Sequence, residues 1–285
     1  MLGFPFPAGR EIRILTLDKS PRVRLKLIMV QGSCIAKAGR LLSAAVLVCL
    51  APVLAFAQAG PACPSTPLVR LHLPHLRAAL AARKEAVIVA LGSSSTQGVM
   101  ASDTAHTYPA VLQASLSQAI PEWHIAVLNR GIGGQDAAEE LARLTSDVIA
   151  VHPQLVIWLV GANGAMRNAN PDRFRQRVTQ GVGELQAAGI DVVLMDNQHC
   201  PRVDATPEGV LLDHVLGQVA EQTHAGLFSR AAVMETWQRE GVPELQFISS
   251  DGLHHNDRGY GCVARALARD IVTALEDSHH VTARR

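Results

Sequence analysis

The 285 residues are enough for one α/β domain with a sizeable core. Apolar residues make up 48% and charged residues 18%, which excludes a disordered or fibrous chain. A formal net charge of +1 lacks the basic excess expected of a nucleic-acid binder. The charge is uneven. Residues 1–57 hold eight of the 26 basic residues and two of the 25 acidic ones, so the positive charge sits at the amino end.

That end reads as an export signal. Lys37 and Arg40 precede the apolar run Leu41 to Ala57, which closes with the small-x-small pattern Ala55-Phe56-Ala57 before Gln58. A signal starting at Met29 has ordinary dimensions. The competing reading is an uncleaved anchor, but the run is short for a spanning helix and contains Pro52. The expected layout is therefore 1–57 extension and signal with cleavage near Ala57, 58–67 linker, 68–276 catalytic-type domain, and 277–285 polar tail. The mature chain is then periplasmic or secreted, with no stable membrane insertion.

Strands and helices then alternate. Leu68 to Arg83 is a predicted helix and Ala86 to Leu91 a buried strand. Tyr108 to Leu116 has helical spacing, and His124 to Leu128 is a second strand. Ala137 to Val151 reads as one helix with Leu141, Leu144, Val148 and Ile149 on a face. Leu155 to Val160 is the third strand. Pro171 to Ala188 is a helix stopped at Gly189, and Asp191 to Met195 the fourth strand. Leu211 to His224 is helical, Ala231 to Met234 a weaker fifth strand, and Arg258 to Leu275 the last helix. Such alternation implies a parallel sheet covered on both faces, with ligands at the carboxyl ends of the strands.

Of the cysteines beyond the signal, Cys63, Cys200 and Cys262, at most two can pair within the chain. Cys200 and Cys262 both lie near expected site loops and are the expected pair. The spacing fits no zinc pattern.

The segments that follow the strands carry the chemistry. Gly92-Ser93-Ser94-Ser95-Thr96-Gln97-Gly98 follows the first strand and suits a nucleophile at a strand-to-helix turn. A Walker-type phosphate loop is disfavoured because no Lys follows the second Gly. Asn129-Arg130-Gly131-Ile132-Gly133-Gly134 follows the second strand, where three glycines allow close approach to a ligand; its spacing matches a dinucleotide fingerprint poorly. Gly161-Ala162-Asn163-Gly164 follows the third strand and alone would be an ordinary Asn-Gly turn. Asp251-Gly252-Leu253-His254-His255-Asn256 precedes the last helix. An Asp three residues before a His can hold one imidazole nitrogen and leave the other facing outward as a base. His255 competes for that role, but the three-residue offset favours His254.

Together, in this order, the four blocks resemble the SGNH hydrolase superfamily, also called GDSL-like lipases and esterases, over residues 87 to 262. The resemblance implies a three-layer α/β/α sandwich with a five-stranded parallel sheet, the flavodoxin-like SGNH hydrolase fold. It implies Ser94 as nucleophile, Asp251 and His254 as its triad partners, and an oxyanion hole from the N–H groups of Ser94 and Gly134 with the side chain of Asn163. No metal or organic cofactor is implied. Ser93 stands where the family usually has Asp, and Gly164 replaces another Asp; neither position holds a triad role.

The implied reaction is serine-dependent ester hydrolysis through an acyl-enzyme, on a small-molecule or polysaccharide ester. Short acyl groups such as acetyl are favoured, because no long insertion forms a lid and aromatic residues are only 4%. The alternatives are an acyltransferase acting on carbohydrate acceptors with the same triad, or a degenerate, non-catalytic carbohydrate-binding domain. Trp158 is expected in the core. Trp123, Trp237 and Met166 fit core or cleft rim equally, and His199, after the fourth strand, is a candidate for the cleft lining.

Overall fold

The computed structural model describes residues 62–276. The expected signal and the polar tail lie outside them. In chain order the elements are α1 (Pro74–Arg83), β1 (Glu85–Gly92), α2 (Ser94–Gln97), α3 (Tyr108–Ala119), β2 (His124–Gly131), α4 (Ala137–Ala142), β3 (Leu155–Leu159), α5 (Ala162–Met166), α6 (Pro171–Ala187), β4 (Asp191–Met195), α7 (Pro201–Asp204), α8 (Pro207–Thr223), β5 (Gly226–Phe228), α9 (Arg230–Arg239) and α10 (Asp257–Glu276).

The five strands form one parallel sheet in the order β2-β1-β3-β4-β5. This is the flavodoxin-like order. Side chains of successive strand residues leave opposite faces, and each face is buried. Ile88 and Ala90 of β1 and Leu155, Ile157 and Leu159 of β3 pack with α1, α3, α9 and α10. Val89, Leu91, Val156 and Trp158 pack against α6 and α8 on the other side. Burial on both faces explains why these strands read as continuous apolar runs. The three-layer sandwich is as the sequence implied.

Several elements differ from expectation. Helix α1 starts at Pro74, whose fixed φ suits a first helical position, rather than at Leu68. The run 137–151 is not one helix: α4 ends at Ala142, a π-helical turn spans Leu144–Val148, and a 3-10 turn spans Ile149–Val151. The expected apolar face survives the break, with Leu144 and Val148 fully buried.

The fifth strand is Gly226–Phe228, and Ala231–Met234 belongs to helix α9. Four short apolar residues suggested a strand, but capping decides otherwise. The Ser229 hydroxyl accepts from the Ala232 N–H, and the Asp196 carboxylate accepts from the N–H groups of Arg230 (2.6 Å) and Ala231 (3.2 Å). These bonds satisfy donors that only a helix start leaves open.

The expected Cys200–Cys262 disulfide is corrected: Cys262 is bonded to Cys63, and Cys200 is a buried free thiol. The cause is the path of residues 62–67, within the stretch read as a linker. They are held against α10, where Arg269 donates to the carbonyls of Thr66 (3.0 Å) and Pro67 (2.6 Å). Cys63 thereby reaches the Cys262 side chain.

Candidate active site

Each site loop begins where a parallel strand ends. At the end of β1, Gly92 must be glycine: a Cβ there would stand 2.3 Å from Thr96 Oγ1 and 2.7 Å from the Leu159 carbonyl. The chain then turns directly into α2, with Ser94 its first residue. Ser93 and Ser95 are buried, whereas Ser94 is half-buried and open to the cleft. The turn thus singles out the middle hydroxyl of three.

The Asp251–His254 turn meets it from the other side. His254 Nε2 lies 2.7 Å from Ser94 Oγ, and His254 Nδ1 lies 2.6 Å from Asp251 Oδ2. Asp251 Oδ1 accepts the backbone N–H of both Leu253 and His254 at 3.0 Å. Burial pushes the Asp251 carboxyl up. Hydrogen bonds from the His254 ring and from those two N–H groups outweigh it and hold the group below the usual carboxylate range. Asp251 is therefore an anion facing Nδ1, which fixes the proton on that nitrogen and leaves Nε2 free to accept from Ser94.

The neighbouring His255 points the other way. It is fully buried, donates Nδ1–H to the Phe247 carbonyl at 3.1 Å and stands edge-on to Tyr260. Burial, with the Arg230 cation nearby, pushes its pKa down to about 3. The two adjacent histidines are thus distinguished by direction: one faces the cleft, the other is a neutral core residue.

Gly134 and Asn163 line the same end of the sheet. Gly134 turns at φ 82°, and a Cβ there would meet no heavy atom within 4 Å. The Asn163 amide donates to the Gln135 carbonyl at 2.8 Å. That bond fixes the orientation of the amide and uses one N–H, leaving the second for a ligand. Gln97, inside the serine loop, accepts from the Gly133 N–H at 3.0 Å, which ties the first two loops together. The structure therefore brings Ser94, Asp251 and His254 into direct contact and sets Gly134, on the loop after β2, and Asn163, in the first turn of α5, at the same end of the sheet.

Other candidates fall elsewhere. Trp158 is buried and donates to Glu140 at 2.8 Å, and Trp237 is core, stacked on Phe247. Met166 is half-buried against the core. Trp123 lines a cavity of about 550 Å³ with Glu85 and His124, at the amino ends of β1 and β2. That cavity is at the sheet end opposite Ser94. His199 lies between Asp204 (3.2 Å) and Glu235 (3.4 Å) beside the buried Asp196. Gln198 gave no motif, yet its buried side chain donates to the Leu253 carbonyl at 2.5 Å, bracing the histidine turn. Among the described residues no group of three or more His, Cys, Asp or Glu could hold a metal ion.

A five-stranded parallel sheet in this order, carrying Ser94, Gly134, Asn163 and the Asp251–His254 turn at its carboxyl end, defines an SGNH-type carboxylic ester hydrolase. The family model of the Non-GDSL lipase-like family matches residues 62–277, and the chain belongs to that family.

Among characterised relatives, the chain is 25% identical over 177 residues to an acetylxylan esterase of Geobacillus stearothermophilus, covering 58% of this chain and 80% of that one. It is 28% identical over 154 residues to esterase TesA of Pseudomonas aeruginosa, covering 53% and 71%. Among solved structures, a two-domain esterase active on acetylated mannans superposes with a TM-score of 0.63 at 22% identity. The match covers 73% of this chain but only 55% of that protein. The acetylxylan esterase from Geobacillus stearothermophilus superposes at 0.56 and 22% identity, covering 65% and 94%. At these identities the superpositions establish the fold.

Proposed function

We propose that this enzyme hydrolyses short acyl esters, acetyl esters of carbohydrates foremost, through an acyl-enzyme on Ser94. The observation that carries the reading is the unbroken relay from Asp251 through His254 to Ser94 Oγ, at 2.6 and 2.7 Å. In the first half-reaction Ser94 Oγ attacks the ester carbonyl while its proton passes to His254 Nε2. The negative oxygen of the tetrahedral intermediate accepts hydrogen bonds from the N–H groups of Ser94 and Gly134 and from the free N–H of Asn163. The intermediate collapses, the C–O bond to the alcohol breaks, and His254 returns the proton to the leaving alcohol. A water then repeats the sequence on the acyl-serine and frees the acid.

Two features favour a short acyl group on a sugar. The relatives include a protein named for acetylxylan, and the two-domain neighbour is described as active on acetylated mannans. Export belongs to the same reading, with a signal ending near Ala57. The Cys63–Cys262 bond supports it, since such bridges persist in oxidising compartments. Amino-terminal sequencing of the periplasmic or secreted protein should begin at Gln58.

The test is a nitrophenyl ester series from acetyl to octanoyl, with and without a polyol acceptor. Turnover should be greatest with acetyl, and the acyl group should go to water. A serine-directed phosphonate should label Ser94 and neither Ser93 nor Ser95. Full activity in Ser94→Ala ends the nucleophile assignment, a preference for octanoyl ends the short-acyl assignment, and acyl transfer to the polyol makes the protein a transferase.

A further inference from the structure

The break after α4 coincides with an arginine that no sequence block singled out. At Arg143 the chain leaves helical geometry (φ −108°, ψ 8°), and the π-helical turn follows at once. Such bulges are frequent at functional sites. The Arg143 side chain is only 11% exposed, and its guanidinium spends its donors on four partners. One terminal nitrogen donates to the carbonyls of Gly92 (3.0 Å) and Arg130 (2.8 Å). Nε donates to the Gln135 side chain at 2.6 Å, and the other terminal nitrogen pairs with Asp147 at 3.2 Å.

These partners are not scattered. Gly92 is two residues before Ser94. Arg130 is the next-to-last residue of β2, just before the glycine loop that carries Gly134. Gln135 is the residue whose backbone carbonyl holds the Asn163 amide. One planar cation therefore joins the last residues of β1 and β2 to Gln135 where the β1–β2 ladder ends, next to the segments that carry Ser94 and Gly134, and it reaches Asn163 through the Gln135 backbone. We propose that Arg143 is a positioning residue that sets the oxyanion pocket, acting through the Gly92 and Arg130 carbonyls and through Gln135. The proposal rests on reading Ser94 as nucleophile and Asn163 as oxyanion donor. A lysine cannot take its place, because a single ammonium on a flexible stem does not reproduce the planar fork.

The experiment compares wild type with Arg143→Lys, Arg143→Ala and Gln135→Leu on nitrophenyl acetate, with melting temperatures in parallel. A misplacement near 1 Å costs a rate factor on the order of 100, so Arg143→Lys should lose roughly 10- to 100-fold in kcat with KM little changed. Added guanidinium ion, at concentrations that do not denature the protein, should restore Arg143→Ala, and sodium at equal ionic strength should not. In an Asn163→Ala background the Arg143→Lys loss should shrink, because the two residues act on the same pocket. Gln135→Leu alters a half-exposed loop residue and should fold, with a smaller kcat loss of the same kind. Normal kcat in Arg143→Lys and Gln135→Leu overturns the proposal. So does a loss that follows the melting temperature, ignores guanidinium and adds fully to Asn163→Ala. Ser94→Ala serves as the control: if it stays active the underlying reading falls, and if it is dead while the Arg143 variants turn over normally, only this proposal falls.

Discussion

Replacing Asp251 by Asn tests how the turn sets the state of the base. The wild-type carboxylate has two distinct duties: Oδ1 accepts the N–H groups of Leu253 and His254, and Oδ2 accepts from His254 Nδ1. Asparagine has one accepting oxygen. If that oxygen keeps the two backbone bonds, the Asn NH₂ faces Nδ1 and can only donate. The imidazole must then carry its proton on Nε2, which points that proton at Ser94 and removes the base. The opposite flip gives up two backbone bonds to save one. The turn geometry thus selects the wrong tautomer, and loss of this orienting carboxylate in such triads costs a factor near 10⁴, or about 5 kcal/mol in the barrier. Folding should suffer far less, since both backbone bonds survive and the charged bond to the ring is replaced by a neutral one of reversed direction at a partly exposed position. A melting temperature lower by no more than about 4 °C is expected, corresponding to roughly 1 kcal/mol. Because the folded Asp251 pKa lies below its ordinary 3.8, its stabilisation is full above that pH and is lost as pH falls through the folded value. The melting difference between variant and wild type should therefore close in acid. The assay is kcat on nitrophenyl acetate with thermal melts from pH 3 to 8. A variant within tenfold of wild-type kcat would refute the tautomer argument.

Three further outcomes follow from the geometry. Asn163→Ala removes one proposed oxyanion donor and should cost about 3 kcal/mol in the barrier, a hundredfold or more in kcat, with KM nearly unchanged in steady-state kinetics. Burial pushes the Glu140 carboxyl up to about 8, against an ordinary 4.5, so the folded state holds the proton more tightly. Its effect on stability is favourable below pH 4.5 and is lost as pH rises toward 8. Glu140→Gln keeps an acceptor for the Trp158 N–H and should raise the melting temperature at pH 8 while leaving it nearly unchanged at pH 5, as read by calorimetry. Cys63→Ser opens a bridge between residues 199 apart in sequence. It should cost about 2–4 kcal/mol in denaturant melts, and adding Cys262→Ser should cost little more, because the two thiols serve one bond.

The turns that hold Ser94, His254 and Asp251 were legible because each depends on neighbours in sequence, and the parallel sheet was legible because strands and helices alternate. Ser94 sits in a glycine-bounded turn, and Asp251 and His254 are three residues apart, so one short segment specifies each geometry. Elements decided by distant partners were not legible. The start of α9 depends on Asp196, 34 residues earlier, which takes the N–H groups of Arg230 and Ala231. The disulfide partner of Cys262 depends on how residues 62–67 are held by Arg269. Burial of Trp237 reflects packing against Phe247 rather than any periodicity visible around it.

The same contrast explains why the helical pattern over 137–151 was half right. Its apolar spacing reports what faces the core, and Leu144 and Val148 are buried as the spacing requires. Periodicity carries no information about a polar side chain that must point elsewhere. Arg143 lies within that stretch, but its hydrogen-bond partners are carbonyls at residues 92 and 130 and a side chain at residue 135. Gln198 likewise braces the Leu253 carbonyl across 55 residues. Backbone carbonyls exist at every position, so a residue recruited to hold one leaves no pattern of types or spacings. In this chain the proposed reacting groups occupy short recognisable segments, while the groups that brace those segments are single polar residues spread along the chain. Substitutions at the second kind of position should therefore change turnover without touching any motif.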